Sequence, residues 1–218
     1  MLIESHIIHT IPVFDIKDNL EESIHFFTNS IYSHVAVTED QKFLGLLSEN
    51  DLESFEGDKS IDTFRSTLES FFAHKTTSWL DVLEIFSRNE ANLVPVLDEE
   101  AHVLGYYDLN DIVGVFIDTP FFKEPGAIIV VAKGIKDYSF SEIAQIVESN
   151  NTKLIGAFIT DARSEVIQIT LKIGINNFNE VVNTFRRYNY TILFGNKDDQ
   201  FLEDLKERSD YLDKFLNV

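Results

Sequence analysis

Cysteine is absent from this chain of 218 residues, which excludes disulfides, thiolate metal sites and cysteine nucleophiles. Basic residues are scarce: 18 Lys and Arg stand against 37 Asp and Glu, a formal charge of −19 at pH 7. Such a surface repels phosphate backbones and anionic lipid alike, so neither nucleic acid nor a membrane surface is an expected partner. Apolar runs such as Ala127 to Ala132 fall far short of the roughly 20 residues that a membrane-spanning helix needs. The start, Met1-Leu2-Ile3-Glu4-Ser5-His6, has no basic stretch and no apolar core of a signal peptide, so the sequence reads as cytoplasmic. The six histidines are scattered without ligand spacing, and no Gly-x-Ser-x-Gly elbow, Walker loop or dinucleotide fingerprint occurs. No metal, obligatory cofactor or catalytic constellation is therefore expected, and the chain reads as a non-enzyme.

What the sequence does have is a motif used twice. Leu44-Gly45-Leu46-Leu47-Ser48-Glu49-Asn50-Asp51 returns sixty residues later as Leu104-Gly105-Tyr106-Tyr107-Asp108-Leu109-Asn110-Asp111. Each copy reads as a turn glycine, a short apolar strand and a polar helix start. A repeat of this period is one supersecondary unit used twice, each copy unable to bury its apolar face alone, and two such units packed together enclose a cleft. Ahead of the first motif, Leu20, Ile24, Phe27 and Ile31 fall on one helical face. A strand follows at Val35-Ala36-Val37, then a polar turn at Glu39-Asp40-Gln41-Lys42. Trp79, Leu83, Phe86 and Glu90 take the same helical places in the second copy, and Val94-Pro95-Val96 the strand, at an offset of 59. One extra residue in the second hairpin turns that offset into 60.

The pattern breaks at residues 119–126, which hold two of the four prolines and read as a linker. Beyond it come a strand at Ala127–Ala132, a helix at Ser141–Ser149 with Ile143, Ile146 and Val147 on one face, and strands at Leu154–Thr160 and Val166–Ile173. A helix marked by Phe178, Val181, Val182 and Phe185 and a strand at Tyr190–Phe194 complete a βαββαβ order, the ferredoxin-like arrangement. From Asp198 the sequence reads as an amphipathic helix with Phe201, Leu205, Leu212 and Phe215 on one stripe. The fold class is α+β.

With those motifs in view, residues 1–118 resemble a tandem pair of CBS domains, a Bateman module, with repeats at about 8–56 and 61–117. Residues 127–218 resemble an ACT-type domain with a C-terminal helix, and the order of the two is similar to that of acetoin-utilisation-type regulatory proteins. The resemblance implies a non-catalytic sensor that binds an adenosine-containing ligand, such as AMP, ATP or S-adenosylmethionine, between the repeats. In the family a hydroxyl at the helix start faces the ligand phosphate and an aspartate three residues on holds the ribose; Ser48 and Asp51 match these places. Base recognition maps to Ser33 and His34 in one repeat and to Asn92 and Leu93 in the other. In the second motif Asp108 replaces the hydroxyl, while Asp111 remains for a ribose, so the first repeat is the expected nucleotide site. The resemblance further implies a homodimer formed through the CBS and ACT-like faces, with Phe121-Phe122 passing the ligand state to the second domain and an unidentified protein target downstream. The loop 133–139 lacks the family's Pro-Gly, which leaves dimerisation at least as strong a reading as amino-acid sensing. A ligand-free scaffold with degenerate pockets is the alternative. Both motifs also fit helix caps, a role compatible with binding because the same free amides serve both.

Overall fold

The computed structural model describes residues 3–163 and 165–194, so the helix expected from Asp198 onward lies outside the described residues. The chain divides into two compact units, Met1–Asp118 and Thr119–Val218.

In the first unit the repeat is visible strand by strand. One copy holds β1 (Phe14–Asp15), α1 (Leu20–Asn29), β2 (His34–Glu39) and β3 (Lys42–Ser48), in a three-stranded sheet of order β1-β2-β3. The other holds β4 (Ala73–His74), α2 (Trp79–Arg88), β5 (Leu93–Leu97), β6 (Val103–Asp108) and α3 (Leu109–Ile117), with order β4-β5-β6. In both sheets the first pair is parallel and the second antiparallel. The first hairpin turns on Asp40 and Gln41, both left-handed (φ 49° and 65°), the two-residue turn that matches strand twist. The second hairpin pairs Leu97 with Val103 where the first pairs Thr38 with Phe43; this is the extra residue, held by the Asp98 carboxylate accepting from the amides of Glu100 and His102.

Three expectations change. Gly45 and Gly105 are not turn residues but lie inside β3 and β6, beside register shifts in each hairpin. They are glycine because another stretch of backbone crosses them: a Cβ on Gly105 would stand 2.4 Å from the Ile8 oxygen, and one on Gly45 2.8 Å from Leu68 Cβ. The crossing stretches are exchanged, since Ile8 bridges to Tyr106 of the second copy and Glu69 to Leu46 of the first. Second, α1 stops at Asn29 and leaves Ile31 74% exposed instead of on the buried face. Third, Ser48 leads into a 3₁₀ turn (Glu49–Ser54), not an α-helix. That segment places Glu49 and Glu53 four apart with few apolar residues, so like-charge repulsion meets no compensating buried face.

Neither copy closes alone. Phe14, Leu20, Phe27, Val35 and Leu46 share one core with Val82, Phe86, Val94, Tyr106 and Ile112. Tyr106, fully buried, donates its hydroxyl to the Pro12 carbonyl at 2.6 Å and accepts from the Ala36 amide at 3.0 Å, which ties the second copy to the first.

The second unit holds α4 (Pro120–Lys123), β7 (Ala127–Gly134), α5 (Phe140–Ser149), β8 (Leu154–Arg163), β9 (Val166–Ile173), α6 (Phe178–Arg187) and β10 (Thr191–Phe194). Its antiparallel sheet runs β10-β7-β9-β8, the ferredoxin-like order. The alternation of β9 has its cause here: Ile167, Ile169, Leu171 and Ile173 pack under Ile146, Val147, Val181 and Phe185 of the helices. Residues 119–126 carry α4, whose Phe121 ring meets Phe158 at 5.3 Å and lies so close to Gly156 that a Cβ there would be 2.5 Å away. Among the described residues no helix is long and apolar enough to cross a membrane.

Candidate functional site

The β2–β3 register sets His34 opposite Ser48, and the Glu49 amide donates to the Ser33 carbonyl at 2.8 Å. Strand start and turn start are thereby locked together. The second copy repeats this with Leu93 opposite Asp108 and the Leu109 amide on the Asn92 carbonyl at 3.0 Å. Ser33 and Asn92 occupy equivalent places and bond to each other: Asn92 Oδ1 accepts from the Ser33 amide at 2.8 Å, and the Asn92 amide donates to Ser33 Oγ at 3.0 Å. The Asn92 side-chain amide also donates to the Ile31 carbonyl at 2.6 Å. These two predicted base-recognition residues therefore join the repeats.

Beside that junction lies an open cavity of about 420 Å³. It is lined by Ser33, His34 and Glu69, by Glu49 and Asn50 of the 3₁₀ turn, and by Arg88, Asn89 and Glu90 at the end of α2. His34 is 2% exposed; its Nδ1 is 2.8 Å from Ser33 Oγ and its Nε2 3.4 Å from Glu69 Oε1. Burial holds the His34 pKa below its ordinary value, against an opposing pull from Glu69, Asp51 and Glu49. Asp51 is half-buried and close enough for its charge to act on that ring. Ser48 is 3% exposed, and its oxygen accepts from the Asn50 amide at 3.3 Å. Arg88 is paired with Glu84 one turn before it.

The second copy is arranged differently. Asp108 caps α3, accepting from the amides of Asn110 at 2.7 Å and Asp111 at 3.3 Å. Asp111 is exposed. Tyr32 of the first copy is close enough that burial, then the charges of Asp108 and Asp111, raise its pKa. Leu93 is fully buried in the core, so only its backbone is available to a ligand. A second groove of about 520 Å³ involves Asn92 and Leu109 with Leu83 and Phe86 of α2 and shares Ser33 and Glu90 with the first cavity.

Of the seven residues singled out from the sequence, Ser33 and His34 line the cavity, and Ser48 and Asp51 flank it through the turn residues between them. Asn92 bonds to Ser33 from the other copy, to which Leu93 and Asp111 also belong. Sequence reasoning missed Glu69, Glu90 and Arg88. Glu69 was within reach: it stands near the start of the second repeat as Ile8 does in the first, and both bridge to a motif strand.

Residues 3–56 and 66–118 each match the family model described as "CBS domain". No curated protein matches the chain significantly. Among solved structures, a CBS domain pair/ACT domain protein from Thermotoga maritima is similar at 21% identity, over 54% of this chain and 98% of that one, with a TM-score of 0.49. The CBS domains of a transcriptional regulator from Streptococcus pneumoniae are 17% identical, over 52% and 98% of the two chains, with a TM-score of 0.46. A CBS domain pair in complex with 5′-methylthioadenosine and S-adenosyl-L-methionine is 19% identical, over 53% and 95%, with a TM-score of 0.44. One match per copy, on the two halves of a shared core, makes the first unit a tandem pair of CBS domains.

Proposed function

We propose that this is a non-catalytic regulatory protein whose CBS pair takes an adenosine-containing ligand at the first-repeat cleft and passes its state to an ACT-like, dimerising second unit. The observation that carries the reading is the register of β2 and β3. It brings the start of one strand and the end of the next to a single polar cavity, with Asp51 alongside. A carboxylate accepts two hydrogen bonds from the vicinal hydroxyls of a ribose, and Ser33 and His34, the places that the resemblance gives to base recognition, line the same cavity. Regulation requires that the ligand favour one arrangement of the protein over another. The homodimer, formed through CBS and ACT-like faces, and a downstream protein target are part of the same proposal.

Calorimetric titration of AMP, ATP and S-adenosylmethionine into the wild type, Asp51→Ala and Asp111→Ala tests it. Saturable binding by at least one ligand, lost in Asp51→Ala and kept in Asp111→Ala, is expected. Loss only in Asp111→Ala would move the site to the second copy. No heat with any ligand from folded protein would favour the scaffold reading, for which the mutual engagement of Ser33 and Asn92 already speaks.

A further inference from the structure

Where the two repeats meet, one hydroxyl serves three partners, and its protons can be counted. Ser33 Oγ stands 3.0 Å from the Asn92 amide, 3.0 Å from Asn92 Oδ1 and 2.8 Å from His34 Nδ1. A serine hydroxyl brings one proton and two lone pairs. The Asn92 amide takes one lone pair. Asn92 Oδ1 only accepts, the side-chain nitrogen being turned to the Ile31 carbonyl, so it requires the proton. His34 Nδ1 must then supply a proton of its own to the second lone pair. On the other side of the ring, Nε2 stands 3.4 Å from Glu69 Oε1, and a carboxylate likewise only accepts. A neutral imidazole carries one N–H and leaves this chain of bonds one proton short. An imidazolium carries two and completes it.

The surroundings decide which partner goes without while the ring is neutral. Glu69 ahead of β4, with Asp51 and Glu49 of the 3₁₀ turn, acts on the ring with negative charge. From the end of α2, Glu90 lines the same cavity, and Arg88 is held by Glu84. The single ring proton therefore belongs on Nε2, facing Glu69, and Nδ1 draws the Ser33 hydroxyl proton away from Asn92. Asn92 Oδ1 then keeps only the Ser33 amide, at 2.8 Å. The ring is 2% exposed and packs edge-on against Phe71, so bulk water does not take the place of these partners.

We infer that Ser33, His34 and Asn92 form a proton-operated clasp between the two repeats: uptake of one proton by His34 hands the Ser33 hydroxyl to Asn92 and closes the bond across the junction, and loss of that proton opens it. The clasp makes acidification an input to the CBS pair that needs no bound ligand. Burial holds the proton off until the pH is below the ordinary imidazole range, so the bond is open at neutral pH.

The test is NMR of the full chain between about pH 7.5 and 5. Imidazole nitrogen shifts give the tautomer of His34 and its titration. Amide exchange of Ser33, corrected for the intrinsic rate at each pH and referred to the amides of β2 beyond His34, gives the strength of the junction. The expected result is the Nε2–H tautomer at the upper end and, as the ring titrates, about fivefold greater protection of the Ser33 amide, the weight of the one extra bond that opening must break. Ser33→Ala keeps that amide without the hydroxyl, and His34→Gln cannot titrate, so neither should show the rise. An Nδ1–H tautomer at neutral pH would mean that the hydroxyl already serves Asn92, and would overturn the inference. Equal rises in wild type and Ser33→Ala would overturn it too, since the proton would then act without the hydroxyl. So would a ring that titrates with no gain in protection, or one that stays neutral over the whole range.

Discussion

His34 shows how one buried side chain makes the cleft sensitive to pH. It is enclosed between Ser33 and Glu69, and burial lowers its pKa below the ordinary 6.5 although Glu69, Asp51 and Glu49 pull the other way. Above pH 6.5 the ring is neutral both folded and unfolded, and the group makes no demand on stability. Below that value the unfolded chain takes up a proton that the folded chain does not, so stability falls with pH until the folded ring also protonates. The expected result is a melting temperature that declines from pH 7 toward 5.5 more steeply in the wild type than in His34→Gln, followed by circular dichroism in matched buffers. The comparison with the variant matters, because loss of net negative charge over the same range relieves self-repulsion in both proteins. Equal slopes would show that the ring is solvated in the folded state. Tyr106 is the residue-scale counterpart on the structural side: its two hydrogen bonds cross from one repeat to the other, and its mate by position, Leu46, has no hydroxyl to return them.

At the scale of elements, the two copies of one motif end in different structures because their caps and charges differ. Asp108 offers a carboxylate oxygen to two amides and starts a nine-residue helix whose Ile112 and Val115 are buried. Ser48 offers one longer bond to a turn carrying Glu49, Asp51 and Glu53. Asp108→Ala should cost about 1 kcal/mol of stability, the usual weight of an N-cap. Ser48→Ala should cost roughly half of that or less, as read from urea denaturation with unchanged slope. A larger loss for Ser48→Ala would mean that its hydroxyl holds something besides the Asn50 amide. The helices, strands and their order were legible because period and turn residues agreed over long stretches, as in the alternation of β9 and the left-handed pair Asp40-Gln41. The role of the glycines was not, since the need for a missing Cβ comes from chain outside the motif: Ile8 over Gly105 and Leu68 over Gly45. The cleft was half legible for the same reason. Ser48 and Asp51 sit in the local motif, whereas Arg88 and Glu90 reach the cavity only through tertiary packing.

For the whole molecule, each unit closes a core of its own, one around Val35, Val94 and Tyr106 and the other around Ile129, Ile169 and Phe185. Heat unfolding of the intact chain should therefore resolve into two transitions by scanning calorimetry, since cooperativity extends only as far as a shared core. Two variants assign them. Asp108→Ala lowers the transition of the CBS pair. Lys133→Met lowers the other, because Lys133 holds Glu142 at 2.7 Å and lies 4.2 Å from the centre of the Tyr190 ring. A ligand that binds only the folded CBS pair adds about 2.7 kcal/mol to its unit at a hundredfold excess over Kd. Transmission asks for more than that. If the ligand state reaches the second unit, reciprocity requires a coupling free energy, typically about 1–3 kcal/mol, to appear in the second transition as well. The expected scan shows the CBS transition moving up by the full binding contribution and the Lys133-sensitive transition moving by a smaller, saturable amount with the same ligand dependence. A first transition that rises while the second stays fixed would leave a protein that binds without signalling through this chain, and its regulatory output would then have to come from a partner that recognises the CBS pair directly.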